Sequence, residues 1–301
     1  MHVGVVLRQS RTDWGGVLDS ARHAEGAGAD SLWVVDHVLS IPPPNGILEA
    51  WTLLSALGAT TERVELGAQV FCQSFRNPAL FAKMAATLDQ VSGGRFRLIL
   101  GAGWYEEEYR AFGYEFPRPG VLIEQLQDSI RILKGMLSGS AEPFTYEGKH
   151  HSVHDVLNIP QPVRAPLPVE VGGGRDRLLK TIAREADGWN SPAIALGLLD
   201  DRLAFLRAAC ERNGRFIDDL RLTCQITCTV GDDEAESRPE VAMFMPQNGL
   251  RGSVEQAIER ANELVGKGIE GFHVIVPSGD RGRACLERLL NEVRPKVGSS
   301  A

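Results

Sequence analysis

The feature that most constrains the fold of this 301-residue chain is a regular alternation of short apolar segments with longer segments of helical period. Residues 3–7, 31–35 and 64–71 are short and rich in β-branched or aromatic side chains, which is typical of strands. Residues 13–28 and 49–60 lie between them and carry apolar side chains at helical spacing. Strands that alternate with helices in this way predict an α/β fold with a parallel sheet.

The segment after the third predicted strand has clear helix boundaries. Asn77 has the side chain of an N-cap, and Pro78 suits the first helical position, where no backbone N–H is needed. Apolar residues continue on one face as far as Val91, and the Ser-Gly-Gly sequence of residues 92–94 ends the helix. A fourth strand is predicted over residues 96–100.

The second half of the chain continues the alternation. Further strands are predicted over residues 168–171, 188–191, 220–230 and 272–276, and further helices over residues 122–137, 175–186, 199–213, 253–268 and 281–297. Eight strands, each followed by a helix, favour a single-domain (β/α)8 TIM barrel over residues 1–301. An open, doubly wound sheet is the alternative, because alternation alone does not show whether a sheet closes. Residues 138–167 are predicted to be an irregular insertion, and residues 231–252 a mobile loop.

Charge and cysteine content argue against several classes of function. The formal net charge of −7 provides no overall basic field for binding nucleic acid. No apolar run approaches the length of a membrane span, and the N-terminal sequence lacks the features of a signal peptide. The five cysteines are scattered without a CxxC pair, so we expect free thiols in a reducing compartment. The sequence therefore predicts a cytoplasmic protein that binds neither nucleic acid nor membranes.

In a TIM barrel the functional residues lie at the C-terminal ends of the strands. One such end consists of Gly172, Gly173, Gly174 and Arg175, between a predicted strand and a predicted helix. Open backbone N–H groups and the N-terminal end of a helix dipole favour a bound phosphate there. A flexible connection without a ligand is the alternative, because a short glycine motif is a weak signal.

A histidine follows the second predicted strand, in the pair Asp36-His37. Its imidazole has the chemistry of a proton donor or acceptor near neutral pH. The alternative is a polar pair that only caps the strand, and these two residues in isolation favour that alternative. His150, His151 and His154 lie in the predicted insertion, and their spacing matches no familiar metal motif. No metal site is therefore predicted.

Small residues interrupt two other strand ends. Gly67 lies inside the third predicted strand, which indicates a bulge or a close approach of another group to the backbone. Residues 98–113 read LILGAGWYEEEYRAFG, so the fourth strand ends on Gly-Ala-Gly before two aromatic residues and three glutamates. A planar ligand or a simple kink of the barrel would explain the small residues. The glutamates open a helix, where the helix dipole favours carboxylates.

Several motifs together resemble the bacterial luciferase-like flavin and deazaflavin oxidoreductases. They are, in order, SLWVVDH, ERVELGAQV, RNPALFAKMAATLDQVSGGRFRLILGAGWYEEEYRAFGYEFP, PVEVGGG and EADGWNSP. The resemblance runs from about residue 3 to residue 276, and the long third motif is its most specific part. Within the family the chain is most similar to a subgroup of oxidoreductases that depend on F420. This coenzyme is an 8-hydroxy-5-deazaflavin that carries hydride.

The resemblance implies a TIM barrel with an insertion, a homodimer, and a flavin-type ring across the mouth of the barrel. The residues that it implies for cofactor binding are Asp36, Ala68, Gln69, Val70, Ala102, Gly103, Trp104, Tyr105, Gly172, Gly173, Gly174, Arg175 and Asn190. The bulge at residues 68–70, often with a non-prolyl cis peptide, would support the ring. The small residues 102 and 103 would let the cofactor pass close to the backbone, and residues 172–175 would bind its phosphate.

The implied function is an oxidoreductase that uses F420 to move a hydride to or from a small organic substrate, with His37 as the catalytic acid or base. Reduced FMN and dioxygen, in a monooxygenase reaction, are the alternative. A non-catalytic flavin-binding protein is the alternative of a different class. Trp104 stands where some F420-dependent dehydrogenases have a glutamate near the ring. This departure argues against an oxidation of the glucose-phosphate type.

Overall fold

The computed structural model describes residues 1–41, 45–232, 244 and 246–298. The strands are β1 (His2–Val6), β2 (Ser31–Val34), β3 (Glu65–Ala68), β4 (Phe71–Cys72), β5 (Phe96–Gly101), β6 (Phe144–Glu147), β7 (Ser152–Val156), β8 (Val169–Gly172), β9 (Gly188–Ser191), β10 (Arg221–Val230), β11 (Leu250–Gly252) and β12 (Gly271–Ile275). The helices are α1 (Trp14–Ala27), α2 (Ala50–Thr60), α3 (Pro78–Val91), α4 (Glu106–Ala111), α5 (Pro119–Met136), α6 (Asp176–Glu185), α7 (Leu199–Arg212), α8 (Val254–Gly266) and α9 (Asp280–Arg288).

Eight of these strands close into a parallel barrel in the order β1-β2-β3-β5-β8-β9-β10-β12. The last strand pairs with the first: Gly4 of β1 faces His273 of β12 on one side and Ser31 of β2 on the other. Helices connect successive strands, and their buried apolar faces pack around the outside of the barrel. The predicted (β/α)8 TIM barrel is confirmed, and the open sheet is excluded.

Helix α3 begins as the sequence predicts. The Asn77 side-chain oxygen accepts hydrogen bonds from the N–H groups of Ala79 at 2.9 Å and Leu80 at 3.3 Å. Pro78 is the first helical residue, where its missing N–H costs nothing. The boundary is therefore fixed by local chemistry, without help from distant contacts.

The middle of the barrel interior is filled by an aromatic pair. The indole of Trp33 stacks on the imidazole of His273, with ring centroids 3.9 Å apart and planes inclined by 20°. Two glycines leave room for the indole. A Cβ at Gly4 would lie 2.3 Å from Trp33 Nε1, and a Cβ at Gly67 would lie 2.5 Å from Trp33 Cζ3. The packing of the barrel itself thus accounts for Gly67, without a ligand.

The bottom of the barrel, at the N-terminal ends of the strands, holds a buried ion-pair network. The Glu170 carboxylate of β8 accepts a hydrogen bond from Arg97 of β5, and Arg221 of β10 lies 3.6 Å from it. Arg97 also lies 3.5 Å from Glu65 of β3. Burial raises the pKa of the Glu170 carboxyl, and the Arg97 guanidinium opposes that rise. These charges neutralise one another, as buried charges must.

The insertion contains regular structure that the sequence analysis did not predict. Strands β6 and β7 form an antiparallel hairpin in which Tyr146 faces Val153. Asp128 of α5 holds the hairpin, because its carboxylate accepts hydrogen bonds from the Tyr146 hydroxyl at 2.8 Å and the His150 N–H at 2.7 Å. The prediction of an irregular insertion was wrong for residues 144–156. Alternating aromatic and polar residues before a glycine were the missed signal.

Two other predicted elements end differently in the structure. The third strand, predicted over residues 64–71, is interrupted after Ala68, where a cis peptide joins Gln69 to Val70, and resumes as β4. The last helix, predicted over residues 281–297, is α-helical only from Asp280 to Arg288 and continues as a wider helical turn and a 3-10 turn.

Three expectations concern the surface and the loops. All five cysteine side chains are buried, and none takes part in a disulfide. Within the described ranges, no helix combines the length and the apolar composition needed to cross a membrane. Most of the predicted mobile loop, residues 233–243 and 245, lies outside the described residues. Its C-terminal end forms β11, which pairs with β10.

We expect Gly67→Ala to lower the free energy of unfolding by about 1–3 kcal/mol, because the new methyl group would overlap the Trp33 ring and lie 2.7 Å from the Arg97 carbonyl oxygen. Gly26→Ala in α1 is the matched control, since no atom lies within 4 Å of its added Cβ. That variant should be neutral or more stable by up to about 1 kcal/mol. Urea unfolding measures both, and a Gly67→Ala variant as stable as the wild type would contradict the packing.

Candidate active site

A bulge at residues 68–70, between β3 and β4, lies at the mouth of the barrel. Its Gln69–Val70 peptide is cis, as the resemblance implies. The Val70 side chain occupies the space above two glycines of neighbouring strands. A Cβ at Gly101 of β5 would lie 2.4 Å from a Val70 methyl group, and a Cβ at Gly172 of β8 would lie 2.5 Å from the other. Val70 therefore packs across β5 and β8, and the bulge has a fixed position at the mouth.

The Gln69 side chain is held from below by Asn190 of β9. The Gln69 amide donates to Asn190 Oδ1 at 3.2 Å, and Asn190 Nδ2 lies 2.9 Å from Thr223 Oγ1 and 3.3 Å from His273 Nδ1. Burial lowers the pKa of His273 well below its usual value, so this imidazole is neutral and can accept a hydrogen bond. Asn190 is buried, and its predicted contact with the cofactor remains a prediction.

Asp36 is also bonded within the protein. Its carboxylate accepts two hydrogen bonds from Arg76, at 2.7 and 2.8 Å, and a third from the Cys72 N–H at 2.8 Å. Arg76 also donates to Glu49 at 3.1 Å. Burial raises the pKa of Asp36, and the paired guanidinium opposes that rise. Asp36 thus anchors β4, which directly follows the bulge, and its predicted contact with a cofactor remains a prediction.

His37 points a different way from Asp36 and meets a second carboxylate. Its Nδ1 lies 2.9 and 3.1 Å from the two oxygens of Glu108, which also accepts the Val38 N–H at 3.1 Å. Glu108 is buried, whereas the His37 side chain keeps 23% of its surface exposed. Trp104 and Tyr105 contact the imidazole edge-on, with centroids 5.7 and 6.2 Å away. His37 is thus a fixed imidazole with an aromatic wall.

The loop after β5 is shaped by a residue beneath it. A Cβ at Gly103 would lie only 1.8 Å from the Tyr109 hydroxyl, and Gly103 has a φ of +88°. That hydroxyl lies 3.0 Å from the Cys72 thiol. Burial raises the pKa of Cys72 to about 12 and that of Tyr109 above its usual value, so both groups are neutral. Gly103 is therefore required by the protein's own packing, whether or not a cofactor passes above it.

The glycine-rich connection after β8 has an open helix terminus. Gly173 has a φ of +133°, and its carbonyl oxygen accepts a hydrogen bond from the Trp189 indole at 2.6 Å. Helix α6 follows without a side-chain cap, unlike α1, α2, α3 and α8. Arg175 and Arg177 make no ion pair with the described residues. This geometry suits a bound phosphate, because the first N–H groups of a helix need an acceptor.

The predicted site residues lie at the C-terminal ends of five adjacent strands, β2, β3, β5, β8 and β9. The structure therefore brings them to one side of the barrel mouth. The histidines of the insertion lie elsewhere: His150 pairs with Glu124 at 3.0 Å, and His154 pairs with Glu147 at 3.1 Å. In the part of the chain that the structure describes, no three His, Cys, Asp or Glu side chains form a group suited to a metal ion.

Sequence reasoning missed the partners that hold the site. The sequence predicted that Glu108, like its two neighbours, only interacts with the helix dipole. In the structure it is buried and is the hydrogen-bond partner of His37. Residues 108 and 109 form the inward face of a short helix, and both are buried. The aromatic residue next to Glu108 was therefore the available sequence signal that Glu108 faces inward. Arg76 and Thr223 gave no signal, since their partners are distant in sequence.

A comparison with known protein families identifies the chain. The sequence profile of luciferase-like monooxygenases matches residues 1–273. The chain belongs to the luciferase-like monooxygenase family. Relatives in this family are deazaflavin-dependent dehydrogenases and flavin-dependent monooxygenases. The protein is therefore a luciferase-like oxidoreductase of the flavin or deazaflavin class.

Individual relatives of this luciferase-like oxidoreductase carry both kinds of name. A protein of Kineococcus radiotolerans named F420-dependent glucose-6-phosphate dehydrogenase is 30% identical over 82% of this chain and 74% of its own length. The FMNH2-dependent dimethylsulfone monooxygenase of Pseudomonas putida is 27% identical over 69% of this chain and 58% of its own length. A solved F420-dependent secondary alcohol dehydrogenase, in complex with an F420-acetone adduct, is 20% identical, covers 99% of both chains and superposes with a TM-score of 0.84.

Proposed function

We propose that this protein is an F420-dependent oxidoreductase that transfers a hydride between the coenzyme and a small alcohol or carbonyl compound. The observation that carries the proposal is the His37–Glu108 pair, which places an oriented imidazole at the barrel mouth beside the bulge. The F420-dependent names of the relatives from Kineococcus radiotolerans and Amycolatopsis mediterranei support this cofactor.

The residues at the mouth fit a flavin-type cofactor. The bulge offers a rigid backbone surface for the ring, and Gln69 Oε1 is a buried oxygen without a partner among the described residues. We place the cofactor phosphate at Gly173, Gly174 and the uncapped start of α6, with Arg175 as its counter-charge. When bound, F420 supplies the carbon that accepts or donates the hydride.

His37 moves the proton that accompanies the hydride. If its Nδ1–H donates to Glu108, its Nε2 is left as a proton acceptor for the substrate hydroxyl. The Glu108 carboxylate then stabilises the imidazolium that forms, and the same pair returns the proton in the reverse reaction. Trp104 and Tyr105 limit the access of water to the imidazole edge. The substrate oxygen thus meets one fixed proton acceptor.

The cofactor preference of the protein can be tested by fluorescence. Titration of the protein with F420 should quench tryptophan fluorescence at micromolar or lower concentrations, because Trp104 borders the site, and FMN should bind much more weakly. Trp104→Phe should bind F420 with a reduced quenching amplitude, which shows where the signal arises. A clear preference for FMN would favour the monooxygenase reaction instead, and no binding of either cofactor would overturn the proposed site.

The second prediction concerns proton transfer. His37→Ala should lower kcat by about 10²–10⁴-fold while F420 binding is retained, because the acid or base is lost and the cofactor contacts remain. Glu108→Gln should lower kcat less, since the hydrogen-bond geometry persists without the charge. Glu107→Gln is the matched control: this exposed neighbour bonds the Tyr105 hydroxyl, and turnover should be unchanged. Stopped-flow absorbance of F420 with a panel of alcohols and ketones measures the rates. Full turnover by His37→Ala would exclude its role.

We also propose that the protein is a homodimer that docks through an apolar patch on α3 and the insertion. Leu80, Val91, Ile159 and Val163 are each more than half exposed there. Light scattering should give twice the mass of the chain, and the double variant Leu80→Glu, Val91→Glu should be monomeric. Phe216→Glu, at a 72% exposed site elsewhere, should leave the dimer intact. A monomeric wild type, or a dimer that survives the double variant, would overturn this proposal.

A further inference from the structure

We propose that Arg8, at the end of β1, binds an oxyanion group of the substrate, a carboxylate or a phosphate that lies within a few bonds of the reacting carbon. The proposal rests on the proposed function, because it takes His37 as the residue that exchanges a proton with the substrate. It makes Arg8 a specificity-determining residue for that reaction.

The backbone of β1 directs Arg8 into the mouth of the barrel. Side chains alternate between the two faces of a strand, and His2 and Gly4 face the interior, where they meet Ser31. Arg8 has the same parity. Strand pairing continues past Val6, since the Leu7 N–H donates to the Trp33 carbonyl at 2.7 Å. Leu7 and Gln9, which flank Arg8 in the sequence, are both buried on the opposite face, whereas Arg8 is exposed.

The register of β1 and β2 places Arg8 beside His37. Val6 pairs with Trp33, so Arg8 is level with Val35, and His37 lies two residues further along the neighbouring strand. This offset corresponds to about 5 Å across the sheet and about 7 Å along the strand. An arginine side chain spans such a distance. One molecule can therefore contact the guanidinium and the imidazole together.

The positive charge of Arg8 is not neutralised by an acidic residue in the part of the chain that the structure describes. Three other arginines near the mouth are paired: Arg76 with Asp36 at 2.7 Å, Arg110 with Glu106 at 2.7 Å, and Arg202 with Asp176 at 2.5 Å. Arg8 makes no ion pair with any residue in the described ranges. Its one hydrogen bond runs from Nε to the Ser10 carbonyl at 3.1 Å and leaves both terminal nitrogens for a ligand.

Arg8 is also remote from the site that we assign to the cofactor phosphate. In the eight-strand barrel, β1 and β8 are four strands apart in either direction, so they lie on opposite sides of the mouth. Arg175 and Arg177, at the end of β8, can neutralise the cofactor phosphate without Arg8. The barrel therefore has a second anion site next to the acid/base residue. The substrate is the ligand that must reach His37, so the oxyanion within reach of Arg8 is the substrate's.

The chemistry of the guanidinium favours an oxyanion. A planar fork of N–H donors matches the two oxygens of a carboxylate or a phosphate, and charge-assisted bonds of this kind are about twice as strong as neutral ones. Because Arg8 and His37 are adjacent, the oxyanion and the reacting hydroxyl or carbonyl must be close together. The arrangement fits a 2-hydroxy acid or a 2-oxo acid, or a short phosphorylated ketone.

Calorimetric titration compares the affinities of three small carbonyl compounds for the F420-loaded protein and for the protein alone. Pyruvate and acetone differ only in a carboxylate that replaces a methyl group, and dihydroxyacetone phosphate carries a phosphate instead. We expect pyruvate, dihydroxyacetone phosphate or both to bind at least about tenfold more tightly than acetone. The preferred probe identifies the oxyanion as carboxylate or phosphate.

Variants then assign the effect to one residue. Arg8→Gln should weaken binding of the preferred anion by about tenfold to a hundredfold and leave acetone unaffected, and Arg8→Lys should fall between. Arg212→Gln, at an exposed position in the last turn of α7, is the matched control and should bind like the wild type. Added salt should weaken the binding of the anion and not that of acetone.

Either of two results would overturn the proposal. One is equal affinity for acetone and for both anions. The other is an anion affinity that survives Arg8→Gln and is lost in Arg175→Gln, which would place the anion at the β8 connection. The proposed function fails separately, by the absence of F420 binding in the fluorescence titration. In that case, titration of the protein without F420 still measures the effect of Arg8 on anion binding.

Discussion

The position of the Val70 side chain is the packing constraint on which the rest of the site depends. Its two methyl groups fill the space above Gly101 and Gly172, so a side chain from the bulge after β3 interlocks with the glycines of β5 and β8. Any larger residue at either glycine would displace the bulge, because close-packed interiors do not absorb an added methyl group without movement. The position of the bulge at the mouth is thus set by packing against two neighbouring strands.

The polar residues at the mouth are likewise held in place, each by a hydrogen-bonded partner that is buried or largely buried. Asn190 holds the Gln69 amide, Arg76 holds Asp36, and Glu108 holds His37. Such partners restrict the orientation of a functional group before any ligand arrives, which lowers the entropy lost on binding. Below the mouth, the interior is occupied by the Trp33–His273 stack and by the paired charges at the bottom.

Charge divides the mouth into two regions. The β8 side presents an open helix terminus with Arg175 and Arg177, neither of which forms an ion pair within the described ranges, and this suits the constant part of the proposed reaction, the cofactor phosphate. The β1 and β2 side presents Arg8 and His37, which suit the variable part, the substrate. In a family whose members share the barrel but differ in chemistry, specificity arises from a few side chains at strand ends and not from the scaffold.

The sequence by itself determined the alternation of strands and helices and most of their boundaries. Periodicity, the Asn77–Pro78 cap and the glycine stops are local signals, because they depend on residues a few positions apart. The sequence also predicted that the site residues follow the strands at one end of the barrel, and the structure brings them to one side of its mouth. The protein partners of Asp36, Asn190 and Gly103 were not predictable, because they come from other strands or helices. Glu108 looked like a surface carboxylate until the tertiary structure brought it to His37. The pairs Asp36–Arg76, His37–Glu108 and Gln69–Asn190 join residues 40 to 121 positions apart, and only chain closure into the barrel decides them.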